Sequence, residues 1–168
     1  MPIDVSIIIR FCNEAGFLEA TLRAVRAQAY SGRHEIIAVD NASNDGSTEI
    51  AKRYADRIIN LDDYRPGHAL NQAIGQAEGT LIVVLSAHTI PANRDWLSNI
   101  TRHAGEAGLA GTYGAQLYNI NAKFLDKRDL DIFSTLQPRI ETADTDFWNA
   151  NAMFPKAVWQ EGQFDETV

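Results

Sequence analysis

Three polar clusters stand directly after apolar, strand-like runs. Arg10-Phe11-Cys12-Asn13-Glu14 follows Val5 to Ile9, Asp40 to Asp45 follows Ile36-Ile37-Ala38-Val39, and Ser86-Ala87-His88 follows Leu81 to Leu85. Each holds side chains suited to binding. The Asp40 carboxylate can accept from a base imino group or a ribose hydroxyl. A neutral His88 imidazole can ligate a divalent ion, and the Ser86 hydroxyl can bond a ribose. Arg65, beside Pro66-Gly67, can meet a base or a phosphate. Plainer roles compete with each of these. Asp40 can cap a helix or brace a loop, and Ser43, Asp45 and Gly46 read equally as an N-cap turn. Asn13 can simply cap, Glu14 shares that ambiguity, Arg65 can be solvated, and a lone histidine is more often a surface residue than a ligand. Asp62-Asp63 reads as a solvated turn rather than a metal site. Trp148 and Trp159 fit a core or an interface; Trp148 is the better sugar platform, because it precedes Asn149 and Asn151.

Strands and helices must alternate to present these clusters together. Val5 to Ile9, Glu35 to Val39, Arg57 to Leu61 and Leu81 to Leu85 read as buried strands, the last being the most hydrophobic and central. Helices come between them. Asn13 is placed to cap the first, whose stripe is Leu18, Leu22, Val25 and Ala29. Ile50 and Tyr54 mark the second. Pro66-Gly67 opens the third, with Leu70, Ala73, Ile74 and Ala77 on its apolar face and Gly79 at its end. Further along, residues 93–103 read as helix, 110–117 as strand, 124–133 as helix and 150–154 as a last strand. This order predicts an α/β fold with a parallel, doubly covered sheet. Ligands of such sheets bind at the carboxyl ends of the strands, where the three clusters fall. Neither a Gly-x-Gly-x-x-Gly nor a Walker-type lysine loop is present, which disfavours the common dinucleotide and P-loop readings.

Composition narrows the class. The 168 residues suit one domain, and 45% hydrophobic residues suffice for a core. A net charge of −7, from 15 basic and 22 acidic residues, argues against a nucleic-acid partner held by bulk electrostatics. Phosphorylated ligands remain open to an acidic chain through locally placed Arg or backbone amides. The single cysteine, Cys12, forms no internal disulfide, and no Cys/His spacing suggests zinc. The amino terminus lacks a signal-peptide pattern and the apolar runs are strand-sized. A cytoplasmic setting is expected, with the inner face of the membrane as a place of contact through a partner or a further segment.

Five pieces in order resemble family 2 of the glycosyltransferases, which have the Rossmann-like GT-A fold. They are Val5-Ser6-Ile7-Ile8-Ile9 with Asn13-Glu14; Val39-Asp40-Asn41-Ala42-Ser43-Asn44-Asp45-Gly46-Ser47; Ala69 to Ile74 with Ala77-Glu78-Gly79; the strand through Leu85; and Pro91 to Leu97. The resemblance spans nearly the whole chain and implies a nucleoside-diphosphate-sugar donor. It implies donor contacts at Arg10, Phe11, Asn13, Glu14, Asp40, Ser43, Arg65 and Ser86. It further implies transfer with inversion to an acceptor hydroxyl, on a glycan, a lipid-linked sugar or another carrier.

The chain departs from the family pattern in three places. Cys12 stands where an aromatic residue commonly stacks on the base, with Phe11 beside it. Ser86-Ala87-His88 replaces the usual Asp-x-Asp, so His88 falls where an acid would hold a divalent manganese or magnesium ion. Phe164-Asp165-Glu166 matches the lead-in to the family's general base, which the resemblance places beyond Val168. Asp165 and Glu166 are the candidates for a base within the chain. The expectation is thus a single GT-A-like domain over residues 1–168, incomplete at its carboxyl end and open to self-association through uncovered apolar surface. A catalytically inactive nucleotide-sugar-binding remnant and a nucleotidyltransferase are the rival readings. The second rival needs a basic Gly-rich loop after the first strand, which Arg10-Phe11-Cys12-Asn13 does not supply.

Overall fold

Runs of β-branched residues become the strands of the computed structural model, which describes residues 2–118, 137, 140–141 and 149–167. The strands are β1 (Val5–Phe11), β2 (His34–Asp40), β3 (Arg57–Asn60), β4 (Leu81–Ser86), β5 (Thr112–Tyr113) and β6 (Asn151–Pro155). The helices are α1 (Ala15–Arg26), α2 (Ser47–Tyr54), α3 (Pro66–Gln76), α4 (Trp96–Thr101) and α5 (Lys156–Glu161). Among the described residues these strands form one sheet in the order β3-β2-β1-β4-β6-β5. The β3-β2-β1-β4 part is parallel, as the alternation with helices predicts. The expectation of an all-parallel sheet fails beyond β4: β6 runs antiparallel to β4, and β5 antiparallel to β6. The helix expected over 93–103 shortens to six residues, and the strand expected over 110–117 to two. The helix expected over 124–133 and Trp148 lie outside the described residues.

Side-chain alternation along β1 divides the core between two helical layers. Ile7, Ile9 and Phe11 join Leu18, Leu22 and Val25 of α1 on one face. Ile8 joins Ala69, Leu70, Ala73 and Ile74 of α3 on the other, with Ile37, Val39, Ile82 and Val84. Gly79 does not end α3, which stops at Gln76. It lies so close to β1 that a Cβ would sit 2.5 Å from the Ser6 amide nitrogen. A buried polar cluster fastens the same edge. Ser6 Oγ donates to Glu35 Oε1 at 2.6 Å, the Glu78 amide donates to the same oxygen at 2.7 Å, and the Gly79 amide donates to Ser6 Oγ at 2.8 Å.

The opposite edge carries the polar clusters, and there two loops are fastened to each other. An α-helix leaves its first amide groups without partners. Glu14 occupies the N-cap of α1 but makes no capping bond with its side chain. Asn13, expected as that cap, instead adopts φ 54°, a left-handed conformation that Asn tolerates better than most residues. The amides of this turn bond to the loop after β2. Asn13 N donates to Ser43 Oγ at 3.0 Å, Glu14 N to Ser47 Oγ at 2.8 Å, and Ala15 N to Asp45 Oδ2 at 2.9 Å. Asn44 N donates back to Asn13 Oδ1 at 2.8 Å. Asp45 also accepts from the Ser47 hydroxyl and amide, so it serves both helix starts.

Two predictions follow from these fastenings. Glu35→Ala leaves the Ser6 hydroxyl and the Glu78 amide without this acceptor and should cost about 2–6 kcal/mol, at about 1–3 for each such group. Glu35→Gln keeps the accepting oxygen and should cost much less; urea denaturation measures both. The Ser47 hydroxyl, followed by the Ala15 amide, holds the Asp45 carboxyl below its ordinary value of 3.8. Its contribution is therefore present above that value and is lost as pH falls beneath it. Asp45→Ala should speed amide hydrogen exchange at Ala15 and Ser47 near neutral pH while leaving Leu22 protected. At the acid end, where Asp45 is protonated in both states, the difference between variant and wild type should shrink.

Candidate functional site

The carboxyl ends of β1 and β4 open into a cleft of about 230 Å³ lined by Arg10, Phe11, Cys12, Glu14, Asn41, Tyr64, Ser86, Ala87 and His88. Its position follows from strand pairing. Arg10 of β1 lies opposite Ser86 of β4, so the residues after both strands emerge side by side. The cleft is smaller than the ~300–1,000 Å³ of enclosed ligand pockets and open to solvent, so it would hold part of a nucleotide-sized ligand. Arg10 Nη1 reaches Tyr64 Oη at 3.4 Å and the Pro66 carbonyl at 3.3 Å. These contacts tie its guanidinium to Tyr64 and the start of α3. Across the floor runs a polar chain: His88 Nδ1 lies 3.2 Å from Glu14 Oε1, and Nε2 lies 3.1 Å from Ser86 Oγ.

Of the residues singled out in the sequence, Arg10, Phe11, Glu14, Ser86 and His88 line this cleft. Asn13 and Ser43 stand behind it, bonded to each other's loops. Asp40 is 3% exposed and braces the loop after β2. Its carboxylate accepts from the Ser43 amide at 3.0 Å and from the Thr48 hydroxyl. Tyr64 and Asn41 line the cleft without having been singled out. Tyr64 sits in a stretch that reads as a solvated turn, and only the fold reveals that Arg10 holds its hydroxyl. Asn151, considered as ligand-facing, is buried and accepts from Trp96 Nε1 at 2.9 Å.

Arg65 does not line the cleft. Its Nη1 donates to the Glu166 carbonyl at 2.7 Å, and its Nε lies 3.5 Å from Asp63 Oδ2. It belongs to a fastening between α3 and the segment after α5. Asn71 Nδ2 donates to Glu166 Oε1 at 2.8 Å and to the Phe164 carbonyl at 2.9 Å, while Asn71 Oδ1 accepts from Trp159 Nε1. His68 Nδ1 lies 3.0 Å from Glu166 Oε2. The Asp165 carbonyl rests against Gly67, where a Cβ would fall 1.8 Å from its oxygen. The hydrogen bond from Asn71, followed by that of His68, holds the Glu166 carboxyl below its usual range. The Thr167 hydroxyl does the same for Asp165.

A divalent ion in the cleft would find one imidazole nitrogen and one carboxylate in contact. Among the described residues no three His, Cys, Asp or Glu side chains gather as a metal cage. His88 Nε2, 3.1 Å from Ser86 Oγ, is a single imidazole donor, whereas magnesium and manganese favour oxygen ligands. A ligand's own oxygens would have to complete the shell. The residues fit an ion carried in with a diphosphate rather than one held by protein alone. No helix among the described residues is long and apolar enough to cross a membrane.

Comparison with known proteins agrees with this geometry. Glycosyltransferase AglE of Haloferax volcanii is 33% identical over 127 residues, covering 71% of this chain and 40% of AglE. Among solved structures, the mannosyltransferase PcManGT of Pyrobaculum calidifontis, in complex with GDP-Man and Mn2+, superposes with a TM-score of 0.75 at 21% identity. That match covers all of this chain and 50% of PcManGT. TarS of S. aureus superposes at 0.74 with 16% identity, over 98% of this chain and 51% of the solved TarS fragment. TarS is also known in complex with UDP-GlcNAc, a structure that superposes at 0.60 with 17% identity over 95% of this chain and 47% of that one. The chain thus spans about half the length, or less, of these relatives. The likeness to the solved structures shows the GT-A fold, with its mixed sheet and flanking helices. Residues 6–161 match glycosyl transferase family 2, and the chain belongs to that family.

Proposed function

We propose that the cleft at the ends of β1 and β4 binds the donor of an inverting sugar transfer, a nucleoside-diphosphate sugar. The observation that carries this reading is the convergence of Arg10, Ser86 and His88 on one cleft in a chain of this family. Arg10 supplies positive charge for a diphosphate, and the Ser86 hydroxyl can bond a ribose. Phe11 and Tyr64 offer aromatic surface beside the exposed Cys12. Asp40 and Ser43 shape the loop that bounds the nucleoside, and Asn13 locks it in place. Arg65 contributes through the turn that carries Tyr64. GDP-Man in PcManGT and UDP-GlcNAc in TarS support the donor class and leave base and sugar open.

His88 would hold a divalent ion together with the donor's phosphates. When bound, such an ion neutralises charge on the departing nucleoside diphosphate. The acceptor hydroxyl would be deprotonated by a carboxylate and attack the anomeric carbon opposite the leaving group. Asp165 and Glu166 are poor candidates for that base. Both carboxyl groups are already hydrogen-bonded and held below the usual carboxylate range, which weakens them as proton acceptors. Glu166 is fastened to α3 rather than turned toward the cleft. A carboxylate other than these two suits the role better.

Calorimetry with GDP and UDP, in manganese and in chelator, tests the donor site. Manganese should tighten binding, and His88→Ala should remove that gain while leaving metal-free affinity unchanged. Equal affinities in manganese and chelator for the wild type would reject the metal. A turnover assay with a nucleotide-sugar panel tests the base. General-base help is typically worth about 10²–10⁴ in rate, so Asp165→Asn and Glu166→Gln should each leave transfer near the wild-type rate. Fast transfer that Asp165→Asn or Glu166→Gln abolishes would place the base in this segment.

A further inference from the structure

Glu14 and His88 stand 74 residues apart and meet because β1 and β4 are neighbours. An ionised carboxylate only accepts hydrogen bonds, so at 3.2 Å from Glu14 Oε1 the imidazole Nδ1 must be the donor. With the proton fixed on Nδ1, the lone pair of a neutral ring lies on Nε2. The Ser86 hydroxyl, 3.1 Å away, can then donate to Nε2 and marks its direction. All three side chains line the donor cleft. A carboxylate, an Nδ1–H and an Nε2 lone pair, available to a metal once the Ser86 hydroxyl turns away, form the arrangement that orients metal-binding histidines elsewhere.

We propose that Glu14 is a positioning residue that selects the His88 tautomer and aims Nε2 at the ion carried with the donor. This rests on the reading of His88 as the metal ligand. Two features favour it over a direct contact between Glu14 and the donor. A carboxylate placed against a diphosphate would repel it, whereas one behind an imidazole supports the ligand without touching the phosphates. Second, Glu14 is held in place from behind. Its amide is bonded to Ser47 Oγ and it is the N-cap residue of α1, yet its side chain makes no capping bond, so the carboxylate is spared for His88. An ordinary surface ion pair would lack both the fixed backbone and the cleft.

The test has a readout that needs no metal. Long-range proton–nitrogen correlation spectra of the imidazoles, taken at mildly alkaline pH, report which nitrogen carries the proton. Wild-type His88 should show the Nδ1–H tautomer, and Glu14→Ala should shift it toward Nε2–H, the form favoured by a free side chain. Manganese titrations followed by electron paramagnetic resonance, with GDP or UDP present, read the consequence. Glu14→Ala should weaken manganese binding by about 10–100-fold, the usual effect of losing such a partner. Glu14→Gln should recover part of the loss, because its amide oxygen still accepts from Nδ1–H. Amide spectra of each variant establish that α1 is intact. An unchanged tautomer in Glu14→Ala overturns the proposal. So does a loss of GDP or UDP affinity of equal size in chelator, which would make Glu14 a direct donor contact. If the tautomer shifts but neither Glu14→Ala nor His88→Ala alters manganese affinity, the metal reading has failed and the positioning role falls with it.

Discussion

Everything at the functional edge hangs on the unpaired amides that begin α1. A helix cannot supply partners for its own first N–H groups, and the side chain at this N-cap does not supply one either. The partners come from another loop: Ser43, Ser47 and Asp45 accept from Asn13, Glu14 and Ala15 in turn. The Asn-Ala-Ser-Asn-Asp-Gly-Ser run is thus a distributed helix cap. It fixes the turn after β1, and that turn is where Glu14 leaves the backbone. Asp40 steadies the same loop from below through Ser43 and Thr48. Residues that look like ligand contacts in the sequence therefore act first on one another.

The strand order converts this local fastening into a site. β1 and β4 are adjacent and parallel, with Arg10 opposite Ser86. Whatever follows either strand must share the same small volume. That is why the exchange of two carboxylates for Ser86 and His88 matters electrically. With Asp in both places beside Glu14, the cleft would carry three negative groups, and a diphosphate would need a cation to approach at all. With Ser86 and His88, Glu14 is the one carboxylate among the described cleft-lining side chains, and Arg10 lines the same cleft. The described lining is therefore closer to neutral than that pattern would make it.

The β-branched runs, the helix stripes and the turn residues were enough to place four parallel strands and three helices from sequence. Those signals are local, and burial of one face enforces them. The strand at β6 was legible but its antiparallel direction was not, because Asn151 to Pro155 reads the same whichever way it pairs. The short α5 has too little periodicity to register. The cleft was partly legible: Arg10, Phe11, Glu14, Ser86 and His88 follow strands, and strand ends carry ligands. What escaped were partnerships at long range. Nothing in the spacing of Glu14 and His88, or of Arg10 and Tyr64, says that they touch, since that depends on strand order. Asn13 failed as a cap for a physical reason: its side-chain oxygen Oδ1 accepts from the Asn44 amide of the facing loop.

A second fastening braces the cleft from the side of α3. Phe164, Asp165 and Glu166 return to the start of α3, where Asn71, His68, Arg65 and Gly67 receive them. The Glu166 carboxylate is taken up by Asn71 and His68, and that of Asp165 by Thr167 two residues on. The same stretch of α3 leads back through Pro66 and Tyr64 to Arg10 and the cleft. The wall of the cleft is therefore stiffened from behind by the segment that resembles the lead-in to the base. Hydrogen bonds that favour the ionised forms of Asp165 and Glu166 also lower their basicity, so the same contacts that hold this segment make its acids weaker proton acceptors.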